Sequence, residues 1–409
     1  MNIHQLNTTT AQLYNVDETY RRYNQKYNLN IRGYWDKESK NLELQIVNTM
    51  SDYVKKNTPG YSPFDYGFFM GSLNYLKQIG FNANLCDQNA NSWNYDIKSI
   101  KEAKEKVTDE RETTVALKKA AKMYGASAMG IARLDRRWIY SHWFDEKTKQ
   151  EYPIRFTDES KEYADISQPT LLPDGVRVIP ATMKYVIVLL FEMDYESLKY
   201  APTLLACAST VNTYAKASLT TMSLAGMIKA LGYEAIPSLN CTGLNVPLAI
   251  DAGLGQLGRN GKLISPRYGS ISRIAKIITD IPLLPDKPID FGVTEFCEAC
   301  RKCARECPSN AISSGTREMG PVDDTGNTGY LRWPVDHKKC HSYFCGSGTN
   351  CNVCISVCSY NRGYKWTNSM LSTFNKKNGL VDSILDGLDD EIYGEELFKK
   401  GKNVFWKEE

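Results

Sequence analysis

The chain carries the run Cys297-x2-Cys300-x2-Cys303-x3-Cys307-Pro308, followed by Cys340-x10-Cys351-x2-Cys354-x3-Cys358. The first run has the spacing of bacterial ferredoxins, in which three close thiolates hold one [4Fe-4S] cluster and the fourth, before proline, reaches the neighbouring cluster. The eight cysteines therefore predict two [4Fe-4S] clusters. The pattern assigns Cys297, Cys300, Cys303 and Cys358 to one cluster, and Cys307, Cys340, Cys351 and Cys354 to the other.

Other uses of these cysteines explain the pattern less well. Zinc held by paired Cys-x2-Cys knuckles accounts for neither the fused four-cysteine run nor Pro308. A disulfide framework of this density is typical of much smaller chains. Ser359 follows the last cysteine where a ferredoxin usually has proline, a departure that removes no ligand. Buried free thiols are the expected state of the four remaining cysteines, which are Cys86, Cys207, Cys241 and Cys345.

Bulk composition limits the kind of partner. The 50 Lys and Arg residues nearly balance the 47 Asp and Glu residues, and the formal charge of +3 gives no reason to expect a nucleic-acid partner. The longest apolar run, residues 185–191, is too short to cross a bilayer. Arg21-Arg22 is followed by polar residues, not by the apolar stretch of an export signal.

Alternating helix and strand signals predict an α/β (α+β) core. Strands are predicted at residues 128–134, 185–191 and 273–279 and close to residue 239, and helices at 98–123 and 202–231. The predicted units are an aromatic-rich N-terminal unit (1–106), a core (107–134 and 184–291), a mostly polar insertion over the surface (135–183), a cysteine module (292–362) and a charged tail (363–409).

A glycine-rich segment, residues 253–258, matches the dinucleotide fingerprint G-x-G-x-x-G. A dinucleotide fold needs an uninterrupted helix directly after the glycines, and Gly261, Pro266 and Gly269 would break it. The glycines are instead interpreted as letting the backbone lie against a large flat cofactor. Ordinary turns are the alternative explanation.

Three segments together resemble the corrinoid-dependent reductive dehalogenases of organohalide-respiring bacteria. They are Val246-Pro-Leu-Ala-Ile-Asp-Ala-Gly-Leu-Gly-Gln-Leu-Gly-Arg-Asn-Gly261, the first cysteine run followed by Ser309-Asn-Ala-Ile, and Lys339-Cys340 together with the last three cysteines. The resemblance covers about residues 107–365. Within the family the chain looks most like the members that act on chloroalkanes such as chloroform.

This resemblance implies a nitroreductase-like corrinoid-binding core joined to a ferredoxin-like module with two [4Fe-4S] clusters. It also implies a base-off corrinoid, either cobalamin or a related cobamide. None of the four histidines stands in Asp-x-His-x-x-Gly, the motif that supplies an imidazole to cobalt in other corrinoid proteins, which agrees with the base-off form. The corrinoid contacts implied for the glycine-rich segment are Gly253, Gly255, Gly258, Arg259, Asn260 and Gly261.

The family's catalytic tyrosine, asparagine and arginine match Tyr214, Asn240 and Arg273. A phenol has a pKa of about 10 and is a poor acid at neutral pH until a neighbouring cation favours its anion. Arg273 is expected to stabilise the tyrosinate by a charge-assisted hydrogen bond, and Asn240 to orient the hydroxyl. The resulting hypothesis is that Tyr214 protonates the carbon while Co(I) attacks the halogenated substrate. Taken singly, the three residues are better explained as a core tyrosine, a turn asparagine and a surface ion pair, and only their joint match favours the catalytic interpretation.

Small apolar substrates are selected mainly by pocket shape. Trp333 matches a family position at the pocket entrance, and Thr210 lies one helical turn before Tyr214, where it is expected to face the same cavity. Looser candidates for the pocket wall, each also explained by plain core packing, are Trp35, Tyr61, Phe68, Phe69 and Trp93.

The resemblance further implies a terminal reductase of organohalide respiration. Such an enzyme is exported folded by the twin-arginine route, loses its signal, and lies at the outer face of the cytoplasmic membrane. Its implied partners are a small chlorinated hydrocarbon, an integral-membrane anchor protein and a quinone-linked electron donor, with no nucleic acid and with a homodimer left open. Two alternatives remain: an epoxyqueuosine reductase-like tRNA-modifying enzyme, whose acid is an aspartate, and a non-catalytic ferredoxin-type electron carrier.

Overall fold

A computed structural model of the chain describes residues 3–56, 58–78, 104, 107–362 and 405–406. The pocket candidate Trp93, Cys86 and nearly all of the predicted tail 363–409 lie outside the described residues. Within the described part of the chain, no helix combines the length and the apolar character needed to span a membrane.

The described helices are α1 Thr10–Leu13, α2 Leu29–Arg32, α3 Lys37–Lys55, α4 Pro63–Gln78, α5 Glu110–Met123, α6 Tyr195–Leu198, α7 Leu204–Ala230, α8 Asn245–Asp251, α9 Val293–Cys300, α10 Lys302–Arg305, α11 His337–Gly346 and α12 Val353–Ser356. The described strands are β1 His4–Gln5, β2 Ala128–Arg133, β3 His142–Asp145, β4 Gln150–Phe156, β5 Thr170–Leu171, β6 Arg177–Ile179, β7 Tyr185–Glu192, β8 Ala235–Ser238, β9 Gln256–Leu257, β10 Leu263–Ile264, β11 Ser272–Thr279 and β12 Ile289–Asp290.

A four-stranded sheet in the order β2-β7-β11-β8 forms the centre of the fold, and all its neighbouring strands are antiparallel. Strands β7 and β11 pair along their whole length, from Ser272 opposite Glu192 to Thr279 opposite Tyr185. Apolar clusters cover both faces of this sheet, which explains why its central strands read as continuous Val, Ile and Leu runs. The strands predicted at residues 128–134, 185–191 and 273–279 are confirmed.

Helix α7 lies against the sheet and carries Tyr214. It corresponds to the helix predicted at residues 202–231, and most of its buried positions are Ala, Ser, Thr or Leu. Small side chains let the helix approach the strands closely. The buried hydroxyls on the helix donate to carbonyls of the helix itself, as Thr213 Oγ1 does to Ser209 O at 2.7 Å. The helix thereby holds Tyr214 at a fixed height above the sheet.

Residues 135–183 differ from the expected surface layer. They form a second sheet in the order β3-β4-β6-β5, and Trp138, Tyr140 and Phe156 join the main apolar cluster. Tyr14 and Tyr20 from the N-terminal unit enter the same cluster. Both segments therefore belong to one core with the central sheet, because their large aromatic side chains are buried against it.

A buried carboxylate ties the N-terminal segment to this core. The oxygens of Asp251 accept hydrogen bonds from the Thr10 backbone N–H at 2.7 Å and from Trp138 Nε1 at 3.1 Å. We expect Asp251→Ala to lower the free energy of unfolding by about 2–4 kcal/mol, because it leaves two buried donors unpaired. Urea unfolding measures the change, with the exposed Asp165→Ala as control. Equal stability of the two variants would contradict this anchoring role.

Candidate functional site

The predicted trio of Tyr214, Asn240 and Arg273 meets between helix α7 and the central sheet. Asn240 lies in the bend after β8, and its Nδ2 donates a hydrogen bond of 2.9 Å to the Tyr214 hydroxyl oxygen. Arg273 is the second residue of β11, and its guanidinium carbon lies 5.7 Å from the centroid of the Tyr214 ring. Three segments that are distant in sequence thus converge on one phenol.

Arg273 acts on Tyr214 differently from the expected hydrogen bond. Its Nη2 donates to Thr210 Oγ1 at 3.0 Å and to Asn352 Oδ1 at 3.1 Å, while the guanidinium stands over the phenol ring. A cation in this position interacts with the ring and with any negative charge that develops on its oxygen, without a direct bond. Within the described residues, Arg273 Nε is buried and has no partner, so one donor remains available to a ligand.

Asn240 is itself held by neighbours that sequence reasoning missed. Asn245, the first residue of α8, donates from Nδ2 to Asn240 Oδ1 at 3.1 Å, and Tyr140 donates from its hydroxyl to Asn240 O at 2.8 Å. Lys276 donates from Nζ to Asn245 Oδ1 at 2.7 Å. The signal for Lys276 was visible in the sequence as one lysine inside the apolar strand Ser272–Thr279.

The four cysteines predicted for the first cluster line a single cavity. Cys297, Cys300, Cys303 and Cys358 share it with Arg259, Phe296 and Tyr360. Burial raises the pKa of all four thiols, so these sulfurs would be neutral without a positive centre beside them. Iron supplies that positive charge and stabilises the thiolates, so this set of donors suits an iron–sulfur cluster.

The four cysteines predicted for the second cluster also come together. Cys351 interacts electrostatically with Cys354, Cys340 and Cys307. Burial raises the pKa of Cys351 to about 12 and that of Cys354 to about 11. Burial acts in the same direction on Cys307, but hydrogen bonds from Ser309 and Ala311 bring its pKa below the ordinary value. The structure therefore brings the members of each predicted set near one another, while Cys354 of the second set also interacts with Cys303 and Cys358 of the first. The assignment of four cysteines to each cluster stays a prediction.

One residue links the trio to the cysteine module. Asn352 follows Cys351 in the left-handed conformation (φ +56°), and its Nδ2 donates to Thr210 Oγ1 at 3.1 Å while its Oδ1 accepts from Arg273. The Arg273 charge also interacts with the Cys354 thiol and lowers its pKa, although burial dominates there. The second cysteine set is thus directly attached to the phenol site, and only the tertiary structure reveals this contact.

The glycine-rich segment packs mainly against protein. A Cβ on Gly253 would lie 2.4 Å from Lys287 O, and a Cβ on Gly255 would lie 2.2 Å from Ile264 O. Gly258 is similarly crowded by the Ile264 side chain, whereas a Cβ on Gly261 (φ +71°) would meet only Val335 at 3.8 Å. Close packing and turns therefore account for the first three glycines, and their contact with a corrinoid stays a prediction. Short strands follow the glycines, so the rejection of a dinucleotide-binding helix is confirmed.

The two polar residues of that segment reach the cysteine module. Arg259 is 1% exposed and donates from Nε to Cys297 O at 2.9 Å, while Asn260 donates from Nδ2 to Cys354 O at 3.1 Å. Each therefore holds the backbone at a predicted cluster ligand, one in each set. A contact of these two side chains with the corrinoid stays a prediction, because both already bond to the backbone of the cysteine module.

The residues predicted to line the substrate pocket lie in different parts of the structure. Thr210 is buried beside the trio, but its Oγ1 is occupied by Arg273 and Asn352. Trp333 is buried, and its ring centroid lies 5.0 Å from the guanidinium carbon of Arg259 and 5.6 Å from that of Arg317. Of the looser candidates, Tyr61 and Phe69 pack near Val211 of α7, Trp35 packs with Ile31 and Phe144, and Phe68 contacts Trp406.

The remaining cysteines divide into two states. Cys207 and Cys345 are buried free thiols, as expected. Cys241 is engaged in a disulfide, so the expectation of a free thiol was wrong for this residue. No sequence signal distinguished it, because pairing depends on proximity in the folded chain.

Comparisons with known proteins identify relatives of this chain. No family model matches the chain. A tetrachloroethene reductive dehalogenase from Sulfurospirillum multivorans is 40% identical over 291 residues, which are 70% of this chain and 58% of that protein. Another, from Desulfitobacterium hafniense, is 35% identical over 297 residues, covering 68% of this chain and 53% of the relative. The chain thus spans somewhat more than half the length of these relatives.

A solved structure supports the fold independently of sequence. The catabolic reductive dehalogenase NpRdhA superposes with a TM-score of 0.67 at 22% identity, over 96% of this chain and 48% of that chain. This match confirms the predicted mixed helix and sheet fold with its cysteine module. The sequence matches at 40% and 35% identity establish that the chain belongs to the reductive dehalogenase family.

Proposed function

We propose that the protein removes chlorine reductively from small chlorinated hydrocarbons. In this reaction a carbon–chlorine bond breaks and a carbon–hydrogen bond forms, with two electrons and one proton consumed and chloride released. Tyr214 supplies the proton from its hydroxyl. The observation that carries the proposal is the 2.9 Å hydrogen bond from Asn240 Nδ2 to the Tyr214 oxygen, beneath the guanidinium of Arg273.

This arrangement suits a phenolic acid. The Asn240 N–H points at the oxygen on which negative charge develops when the proton leaves, and Arg273 adds a cation at close range. Both interactions strengthen as the phenol becomes phenolate, so they stabilise the product of proton transfer more than the starting state. Reprotonation of Tyr214 then restores the site for the next turnover.

The cysteines present fit the implied iron–sulfur cofactors, and the two cysteine sets would hold two [4Fe-4S] clusters. Beside the trio, Arg273 Nε is buried without a partner among the described residues, and we assign this donor to a polar group of the corrinoid. When bound, a base-off corrinoid supplies the cobalt centre for the carbon–halogen bond and the clusters supply single electrons.

The substrate class is tested directly with reduced viologen as electron donor. Reconstituted protein with measured iron and cobalt should dechlorinate at least one of tetrachloroethene, chloroform and trichloroethane. The names of the two relatives support chloroethenes, whereas the narrower prediction from the sequence is a chloroalkane. Fully loaded protein that releases chloride from none of the three compounds would overturn the proposed function.

Cellular placement and partners form part of the same proposal. We infer a peripheral enzyme at the outer face of the cytoplasmic membrane that receives electrons through an integral-membrane anchor and a quinone-linked donor. Such a donor must reach the cysteine module, where Cys340 is exposed. Fractionation of native cells, with protease accessibility from the outer side, tests the location. Protein found only in the cytoplasm would contradict it.

A separate prediction concerns Trp333. If its indole bounds the substrate entrance, as its position in the family implies, Trp333→Phe will change the ratio of chloroethene to chloroalkane turnover by about tenfold. If the indole instead only packs against Arg259 and so supports the first cysteine set, the iron content will fall and the ratio of the two turnover rates will stay constant. The two rates and the iron content, measured on one preparation, separate these roles.

A further inference from the structure

A chain of hydrogen bonds runs from the interior of the sheet to the Tyr214 hydroxyl. Lys276 Nζ donates to Asn245 Oδ1 at 2.7 Å, Asn245 Nδ2 donates to Asn240 Oδ1 at 3.1 Å, and Asn240 Nδ2 donates to the Tyr214 oxygen at 2.9 Å. Lys276 is 0% exposed on β11, three residues beyond Arg273. In each of these three hydrogen bonds, the donor belongs to the residue farther from Tyr214 and the acceptor to the residue nearer to it.

The direction of this chain is fixed by groups that can bond in only one way. Lys276 Nζ donates to Asn245 Oδ1 and also to the backbone carbonyl of Leu239 at 2.9 Å, so both of these partners are acceptors. Asn245 Nδ2 lies near the carbonyls of Leu239 and Ile274, at 2.9 and 3.2 Å, and carbonyls cannot donate. The Asn245 amide therefore has one satisfactory orientation.

That orientation decides what Tyr214 can do. Asn245 Nδ2 shares its two hydrogens among Asn240 Oδ1 and the two carbonyls, and it cannot accept a hydrogen bond. Only Oδ1 of Asn240 can therefore face it, so Asn240 turns its own Nδ2 toward Tyr214. The phenol oxygen then accepts a hydrogen bond, and its hydrogen stays available for transfer. The opposite orientation of Asn240 would bind that hydrogen and remove the acid from the reaction.

We propose that Lys276 and Asn245 are positioning residues that orient the Asn240 amide and so keep the Tyr214 hydroxyl in its donating state. This inference rests on the proposed role of Tyr214 as the acid. Lys276 is fully buried in the middle of an apolar strand, and this desolvation lowers its pKa well below the usual value. Its bonds to two carbonyl-type oxygens satisfy the amine in either protonation state.

Other charged and titratable groups around Tyr214 are few in the described structure. Arg273 stands over the ring from β11, and Tyr140, whose pKa is raised by burial, interacts with Tyr214 from the segment before β3. Their hydrogen bonds go to Thr210 and Asn352 for Arg273 and to the Asn240 carbonyl for Tyr140, and not to Lys276 or Asn245. A change in Tyr214 that follows those substitutions therefore reports on the hydrogen-bond chain.

The decisive experiment places 3-fluorotyrosine at position 214 of the full, cofactor-loaded chain and follows its fluorine NMR signal against pH, with both cofactors in their oxidised diamagnetic states. We expect Lys276→Met to move the titration midpoint of this ring to higher pH, because the phenolate loses a polarised donor. Turnover with the unlabelled variant should fall at least about tenfold with KM nearly unchanged. Lys216→Met, which removes an exposed lysine from the Tyr214 helix, is the matched control and should change neither quantity.

An unchanged midpoint in Lys276→Met would overturn the positioning role even if turnover falls, because a general loss of structure also lowers turnover. Should that variant fail to fold, Asn245→Ser takes its place, with the same upward shift expected and an unchanged midpoint again overturning the proposal. Failure of the acid assignment looks different: Tyr214→Phe would keep its turnover, while the midpoint shift caused by Lys276→Met would persist.

Discussion

Cys354→Ala is expected to abolish dehalogenation and to lower the iron content from about eight to about four per chain. Cys354 belongs to the second cysteine set and interacts electrostatically with Cys340, Cys307 and the guanidinium of Arg273. Without this half-buried thiolate, the second set would keep only three ligands for a cluster, and this is the set that contacts the trio through Asn352. Chemical iron analysis and spin-resonance spectra of the reduced protein measure the loss.

The matched control for this experiment lies in the same module. Cys345 is 0% exposed on α11, and its sulfur lies 3.7 Å from His341 Nδ1, outside both cysteine sets. Cys345→Ala should keep the full iron content and most of the activity, at the modest cost of a small cavity. The cluster assignment would be refuted if Cys354→Ala retained all its iron, or if the two alanine variants lost iron equally.

Tyr214→Phe is the second large effect that we expect. Removing a general acid typically costs about 10²- to 10⁴-fold in rate, and phenylalanine keeps the ring that packs beneath Arg273. The turnover number should therefore fall by that factor, while iron content, corrinoid content and thermal stability stay close to those of the unmodified protein. Steady-state rates with reduced viologen and metal analysis of the same sample provide the measurement.

Tyr268→Phe serves as the control for loss of a buried phenol hydroxyl. Its oxygen donates to the Ser127 carbonyl at 2.9 Å, and it belongs to the main apolar cluster, not to the trio. This variant should be slightly destabilised and fully active. Wild-type turnover in loaded Tyr214→Phe would show that another group delivers the proton.

Much of the fold could be predicted from the sequence, because the patterns that indicate its strands and helices are local. The apolar runs of β7 and β11 and the long helix α7 stand where periodicity placed them, since an element buried on both faces carries a continuous apolar pattern. The segment 135–183 was less readable. Its polar residues suggested a surface layer, but Trp138, Tyr140 and Phe156 bury enough area to make it part of the core.

The site was predicted in part. The trio was found only through resemblance, because a tyrosine, an asparagine and an arginine so far apart in sequence have no spacing rule. Asn245, Lys276 and Asn352, which hold the trio in place, were missed altogether. A lysine within an apolar strand was the one clue, since a cation is costly to bury unless it has bonding partners.

The sequence by itself predicted the iron–sulfur chemistry of the cysteine module, because the ligand pattern of such clusters consists of cysteines a few residues apart, and this spacing is local. It also determined the central strands through their unbroken apolar character. Only the tertiary structure decided that Asn352 joins the second cysteine set to Arg273, and that a lysine inside the sheet is bonded through two amides to a phenol. Hydrogen bonds act over about 3 Å whatever the separation along the chain, so these contacts exist only once the strands and helix α7 have packed together.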